Sequence, residues 1–155
     1  MNKQNKSSAN FFASENLKRL AEKRNDEKWI SKQFESTDTL FIPVWQGKNL
    51  FDISDEAKIA TLRKDEIKKF GMKECSFTLL GKLNNKVYFS FSLDRIDTDL
   101  DKEFSSFGIF APLRKYAALL NKDDASLIAY SIALSIWQKK HRFCGNCGNK
   151  TILVL

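Results

Sequence analysis

The sequence has few cysteines and no long apolar run, and each absence excludes a class of protein. Its 155 residues contain three cysteines, too few for the disulfide framework of a small secreted domain. The apolar stretches are interrupted within a few residues, which argues against a membrane-spanning helix. No apolar core follows Met1, as a signal peptide would require. We therefore expect a cytoplasmic protein in a reducing compartment, without a membrane partner.

The basic residues also lack interleaved aromatic residues of the kind that stack on bases. The formal net charge is +7, but the lysines are scattered along the chain. A lysine-rich, solvated surface explains this distribution better than a nucleic-acid surface. The excess charge is also expected if the chain is one part of a protein whose other part is acidic.

The chain is long enough for one ordinary core with an appendage, at 43% hydrophobic and 29% charged residues. The hydrophobic pattern predicts an α+β fold, with a small antiparallel sheet of hairpins and flanking helices. We divide the chain into a flexible arm (residues 1–10), an N-terminal domain (11–121), a connecting helix (122–142) and a truncated zinc ribbon (143–155).

Two hairpins are predicted from their turns. The first has Gln46-Gly47 between strands over residues 39–45 and 48–53, and Pro43 should confine its strand to an edge or a bulge. The second has Asn84-Asn85 between a strand over residues 76–83 and one over 87–93. Alternation of apolar and polar residues over 87–93 predicts a half-buried strand.

Helices are predicted at three places. Residues 14–34 have apolar spacings typical of two short helices, and residues 54–70 of a weak one that ends near Gly71. The clearest helix has Asn121 as its cap, acidic residues in its first turn and basic residues at its end. Its wide apolar band should pack on the sheet, a partner chain or a missing C-terminal portion, and core packing is the favoured interpretation. The band comprises Leu127, Ile128, Tyr130, Ile132, Leu134, Ile136 and Trp137.

The acidic stretch over residues 94–101 is interpreted as a solvated loop. Its aspartates have neither the glycine nor the terminal glutamate of a calcium loop. No metal site is therefore assigned to it.

A Cys-x-x-Cys-Gly motif lies near the C-terminal end of the sequence. The spacing of Cys144 and Cys147 lets both thiolates point into one concavity, and Gly145 and Gly148 permit a tight backbone turn. Zinc takes four ligands, and this motif supplies two. Because the chain stops four residues after Thr151, we expect it to be the front part of a larger protein.

Neither of the other two candidate ligands is favoured. Cys75 lies in a run that is typical of a buried strand, where a small hydrophobic role fits it better. His141 stands beside the motif and could be a substitute third ligand, but a surface or interface position is the favoured interpretation. Redox chemistry at Cys144 and Cys147 is a weaker alternative, because a thioredoxin-type pair opens a helix whereas this pair follows one.

The order of several motifs resembles the N-terminal region of the NADH pyrophosphatases. The resemblance covers nearly the whole chain, and its C-terminal part is the specific one: a helix containing Trp137, then His-Arg-Phe, then Cys-x-x-Cys-Gly. The matching stretches are residues 11–19, 41–50, 107–114, 123–137 and 141–148.

This resemblance implies an N-terminal domain with a rudimentary Nudix-like fold, a four-cysteine zinc ribbon and a catalytic Nudix domain. Such hydrolases cleave the pyrophosphate of NADH to reduced nicotinamide mononucleotide and AMP, and related activity removes NAD caps from RNA. The family implies a homodimer, NAD(H) as ligand and Mg²⁺ or Mn²⁺ as the catalytic cation. It also implies that Cys144 and Cys147 are zinc ligands.

The sequence departs from the family in lacking the Nudix box. That box clusters glutamates on one helix face to hold the divalent ions that activate water. Here no two of the eight glutamates are adjacent, no Arg-Glu dipeptide occurs, and a second cysteine pair is missing. We therefore assign no catalytic residue and predict that this chain alone is inactive. The alternative is a stand-alone binding or dimerisation module, in which two chains pool their cysteines around zinc or the surface binds RNA.

Overall fold

The computed structural model describes residues 10–70, 75–93 and 99–151, with the side chain of Cys75 left out. In these residues, six strands form one mixed sheet flanked by helices, which confirms the α+β class. The strands are β1 (Leu40–Trp45), β2 (Lys48–Asp52), β3 (Lys58–Ile59), β4 (Cys75–Leu83), β5 (Lys86–Leu93) and β6 (Ile109–Ala111).

The sheet has the order β3-β2-β1-β5-β4, and β6 pairs with β2. Both predicted hairpins are present, as the antiparallel pairs β1–β2 and β4–β5. They join through β1 and β5, which run parallel in the register Leu40↔Tyr88 to Trp45↔Leu93. The sheet is therefore mixed, whereas the sequence pattern indicated hairpins only.

Both hairpin turns have the left-handed backbone that their residues favour. Gln46 and Gly47 have φ of 50° and 74°, and Asn84 and Asn85 have φ of 48° and 64°. Positive φ at both central residues defines the turn whose twist matches the flanking strands. The two-residue connections therefore fix the register of each hairpin locally.

Pro43 lies in a central strand, so the prediction of an edge position was wrong. Its partner on β5 is Phe91. The direct pairing of β1 with β2 covers only Val44↔Asn49 and Trp45↔Lys48, and it stops at Pro43. The sheet tolerates the proline because its missing N–H falls on the side where this ladder has already ended.

Beyond the end of the β1–β2 ladder, the segment that carries β3 pairs with both β1 and β2. Ile59 pairs with Phe51 of β2, and Leu62 forms a bridge with Phe41 of β1. Residues 58–59 are therefore a strand, and the weak helix predicted over residues 54–70 was wrong for its first part. Helical structure in this region is confined to α2 (Lys64–Ile67) and a 3₁₀ turn over Lys68–Phe70.

Strand β5 is buried on both faces, which corrects the half-buried prediction. Phe89 and Phe91 belong to the main core, together with Phe41 and Phe104. On the opposite face Ser90 and Ser92 are also buried, at 3% and 6% exposed. The alternation therefore separates an apolar core from a small-residue face that is covered by a helix.

The remaining helices are short except for the last. They are α1 (Glu27–Glu35), α3 (Leu100–Glu103), α4 (Leu113–Tyr116) and α5 (Lys122–Lys140), with 3₁₀ turns at Ala21–Lys23 and Ala117–Leu119. Of the two helices predicted over residues 14–34, only α1 is an α-helix, and the Asp26 carboxylate caps it by accepting from the Trp29 amide. Residues 94–98 of the predicted acidic loop lie outside the described residues. Asp99 caps α3, and the loop prediction was wrong for residues 100–101, because they begin this helix and Leu100 is buried.

Helix α5 begins at the predicted cap, where the Asn121 side chain accepts from the Asp124 amide at 2.9 Å. It lies against the sheet, but the buried face differs from the predicted apolar band. Leu127 and Ile128 are buried together with Ser131 and Ser135, whereas Trp137 is 50% exposed. Small residues bring the helix close to the serines of β5, and this leaves the last turn of the band in solvent.

An N-terminal strap, residues 14–24, crosses from the sheet to α5. Lys18 pairs with Lys82 of β4 through two backbone hydrogen bonds of 2.9 and 2.7 Å. The Ser14 amide donates to Ser126, and the Arg19 guanidinium lies 4.8 Å from the ring centre of Tyr130. Among the residues the structure describes, none of the helices has both the length and the apolar character needed to cross a bilayer.

Candidate zinc knuckle

The predicted ligands Cys144 and Cys147 lie on a short hairpin that follows α5. Phe143 and Lys150 form a bridge across it, and the Thr151 amide donates to the Arg142 carbonyl at 2.9 Å. The Thr151 hydroxyl donates to the His141 carbonyl. These contacts close residues 142–151 into a loop with the cysteines at its tip, which we call the knuckle hairpin.

The tip is a tight turn that two backbone hydrogen bonds close. The Cys144 amide donates to Asn149 at 2.7 Å, and the Gly148 amide donates back to the Cys144 carbonyl at 2.9 Å. Gly148 has φ of 70°, a left-handed conformation in which glycine is the least strained residue. The sequence predicted this role for both glycines of the motif. The prediction is confirmed for Gly148 and was wrong for Gly145, which does not have a positive φ.

The thiol of Cys144 is shifted toward the thiolate form. Its pKa is lowered by hydrogen bonds to the sulfur from the backbone amides of Cys147 and Asn146 and from the Cys147 side chain. Because the thiolate is the metal-binding form, this arrangement suits a zinc ligand. Cys144 is half-buried and Cys147 is exposed, so both remain accessible.

The donor set of one chain fits half of a zinc site. Two thiols lie at the tip of one tight turn, but a structural zinc site needs four ligands. In the described parts of the chain, no group of three or more His, Cys, Asp or Glu side chains is placed to hold a metal ion. One knuckle hairpin therefore offers two thiols, and a four-ligand zinc site would need two further ligands.

His141 is turned toward α5. Its ring stacks on Trp137 at 4.7 Å, and its Nδ1 atom donates to the Trp137 carbonyl at 2.8 Å. The histidine is not grouped with Cys144 and Cys147 as a third ligand. The prediction that Cys75 has a buried hydrophobic role concerns a side chain outside the described residues.

Sequence reasoning missed the apolar surroundings of the knuckle. Phe143 is 63% exposed directly beside Cys144, and Trp137 is 50% exposed on the last turn of α5. The hairpin itself was also missed, because the bridge between Phe143 and Lys150 joins residues that have no strand-like pattern. Their only signal is the Cys-x-x-Cys-Gly spacing between them.

A separate polar cavity of about 340 Å³ lies between the N-terminal strap and the turn of the second hairpin. Two lysines and three carboxamides could hold a small anion there, but a glutamate in the same lining opposes it. None of the lining residues is a cysteine, serine, threonine or histidine. The lining consists of Glu15, Asn16, Lys18, Lys82, Asn84 and Asn85.

Comparison of the chain with models of known protein families gives no match. Comparison with curated proteins gives no match either. The resemblance to NADH pyrophosphatases therefore stays an expectation that rests on the motifs of the sequence alone.

Proposed function

We propose that this chain is the non-catalytic, N-terminal portion of a cytoplasmic NAD(H) pyrophosphatase. The observation that carries the proposal is the knuckle hairpin at the end of a capped helix that is docked on the sheet. Cys144 and Cys147 stand at its tip, where the Cys144 amide donates to the Asn149 carbonyl and the Gly148 amide donates to the Cys144 carbonyl. This is the arrangement expected of the first half of a zinc ribbon.

In a complete enzyme, the described domain would act as a scaffold and the ribbon as its junction to a catalytic domain. Zinc would be held by Cys144 and Cys147 together with a second cysteine pair. The catalytic domain would bind Mg²⁺ or Mn²⁺ and cleave NADH to reduced nicotinamide mononucleotide and AMP. The glutamates of this chain are dispersed, so that chemistry is assigned to the catalytic domain.

Two measurements test this proposal. Reading the gene beyond codon 155 should reveal an open frame with a second Cys-x-x-Cys and a glutamate-rich box. The 155-residue protein should release no AMP from NADH with Mg²⁺ or Mn²⁺, whereas the extended protein should. A stop codon directly after position 155, or robust hydrolysis by the short protein, would refute the proposal.

RNA binding at the knuckle hairpin and the last turn of α5 is a second candidate, favoured by the exposed aromatic and basic side chains there. Trp137 and Phe143 are exposed, and so are Lys140 and Lys150. Aromatic side chains stack on unpaired bases, and lysines neutralise phosphates. Single-stranded RNA should then quench Trp fluorescence, with an affinity that falls steeply as salt rises. Equal quenching in a Trp137→Leu variant would argue against this candidate.

A further inference from the structure

We propose that the polar cavity between the N-terminal strap and the turn of the second hairpin binds a sugar phosphate. The cavity has a volume of about 340 Å³, and its lining combines two lysines with one glutamate and three asparagines. Sites for small ligands typically measure roughly 300–1,000 Å³. This inference goes beyond the proposed function and does not rest on it, because none of the lining residues belongs to the knuckle hairpin.

Lys18 and Lys82 define the phosphate end of the cavity, because they face each other across the strap and β4. The two residues exchange both backbone hydrogen bonds of an antiparallel bridge, at 2.9 and 2.7 Å. Side chains of such a pair lie on the same face, and like charges directly opposite each other are unfavourable. Among the residues that the structure describes, no carboxylate forms an ion pair with either lysine. A phosphate group between the two ammonium groups would offset their repulsion.

Hydrogen-bond acceptors in the same lining suit the hydroxyl groups of a sugar. The Glu15 carboxylate lines the cavity without pairing with either lysine, so its oxygens can accept from hydroxyl groups. Asn16 directs its amino group at Asp123, with 3.2 Å to each carboxylate oxygen, which leaves its carboxamide oxygen as a further acceptor. A bare anion would meet the repulsion of Glu15, whereas the hydroxyl groups of a sugar would donate to it. The lining therefore fits a sugar phosphate better than phosphate alone.

The backbone of the fold holds the walls of the cavity in place. Gly81 packs so closely on the strap that an added Cβ would lie 2.2 Å from the Lys18 carbonyl oxygen. Asn84 and Asn85 stand in a tight turn, with φ of 48° and 64°. Their carboxamides can donate to phosphate oxygens or accept from hydroxyl groups. Because these walls are already ordered, binding would cost little conformational entropy.

Calorimetric titration of the purified protein with ribose 5-phosphate, ribose and inorganic phosphate tests the inference. We expect ribose 5-phosphate to bind about tenfold more tightly than either ribose or phosphate, because only it engages both ends of the cavity. Lys18→Met and Lys82→Met should each weaken its binding about tenfold, since each removes a charged donor to phosphate. Lys86→Met is the matched control, because Lys86 is an exposed lysine of the same hairpin outside the lining. It should bind ribose 5-phosphate as the parent does.

Glu15→Ala separates a sugar phosphate from an anion alone. It removes an acceptor for hydroxyl groups and a repulsion toward phosphate, so the preference for ribose 5-phosphate over phosphate should fall about tenfold. Circular dichroism of each variant should match the parent, and Lys18, being exposed, offers a lysine whose replacement disturbs the fold least. No binding of ribose 5-phosphate, an equal loss in Lys86→Met, or an unchanged preference in Glu15→Ala would each overturn the inference. Such a failure leaves the pyrophosphatase proposal intact, because that proposal is tested by the downstream gene and by AMP release.

Discussion

A buried hydrogen bond between Asn49 and Ser131 should contribute measurably to the docking of α5, and therefore to the position of the knuckle hairpin. Asn49 is fully buried on β2. Its Nδ2 atom donates to the Pro43 carbonyl at 3.3 Å and to the Ser131 hydroxyl at 3.1 Å. The amide thus reaches the backbone where the β1–β2 ladder stops, and it joins the sheet to α5.

The expected effect follows from what Asn49→Ala would leave behind. The Pro43 carbonyl would lose its side-chain partner in a buried position, at a cost of about 1–3 kcal/mol. Ser131 would keep its bond to the Ile128 carbonyl at 2.8 Å, so the cost of losing Asn49 is smaller for Ser131 than for the Pro43 carbonyl. The Oδ1 atom of Asn49 has no partner among the described residues, and its removal offsets part of the cost. We expect a net loss of about 2 kcal/mol in the free energy of unfolding.

A double-mutant cycle isolates the Asn49–Ser131 contact. Urea unfolding of Asn49→Ala, Ser131→Ala and the double variant should give a coupling energy of about 1 kcal/mol. The slope of the free energy of unfolding against urea concentration should not change. Ser135→Ala is the matched control, because Ser135 lies on the same helix but bonds Ser92 instead, at 3.1 Å. Its coupling to Asn49 should be near zero. Equal couplings for the two serines would refute the reasoning.

Three further predictions concern the strap, the helix cap and a buried tyrosine. Gly81→Ala should disrupt the strap, because the new Cβ would lie 2.2 Å from the Lys18 carbonyl oxygen. Hydrogen exchange at the Lys18 amide should accelerate, whereas Gly145→Ala should leave it unchanged. Asn121→Ala should lower the free energy of unfolding by about 1 kcal/mol, since it removes the cap of α5. Unchanged urea midpoints would contradict this. Burial raises the pKa of the Tyr88 hydroxyl above its ordinary value of 10.0. The contribution of the neutral, buried Tyr88 to the free energy of unfolding is therefore fully present below pH 10.0 and is lost as pH rises through the folded-state pKa. Tyr88→Phe should reduce this alkaline loss of stability, and an identical loss in both proteins would refute the assignment.

The parts of the fold that the sequence predicted are those set by local chemistry. Gln46-Gly47 and Asn84-Asn85 adopt the left-handed turns that their residue types favour. Asn121 caps α5 for the same reason, because its side chain bonds an amide three residues away. The tight turn around Gly148 likewise follows from the motif.

The errors occurred where distant segments meet. Pro43 was expected at an edge, but β5 arrives beside β1 in parallel and places it at the centre of the sheet. Ser90 and Ser92 were expected in solvent, but α5 covers them. A strand with one polar face has the same pattern whether that face meets water or a helix rich in small residues. Nothing local distinguishes the two.

By itself, the sequence determined the two hairpin turns, the cap of the last helix and the two thiols of the knuckle. Each depends on contacts between residues a few positions apart. Only the tertiary structure decided that the hairpins join through parallel strands and that α5 buries serines while Trp137 stays exposed. It also decided that the tip of the knuckle hairpin stands open to solvent. These features depend on packing between residues far apart in the chain, where shape and burial, rather than local backbone preference, select the arrangement.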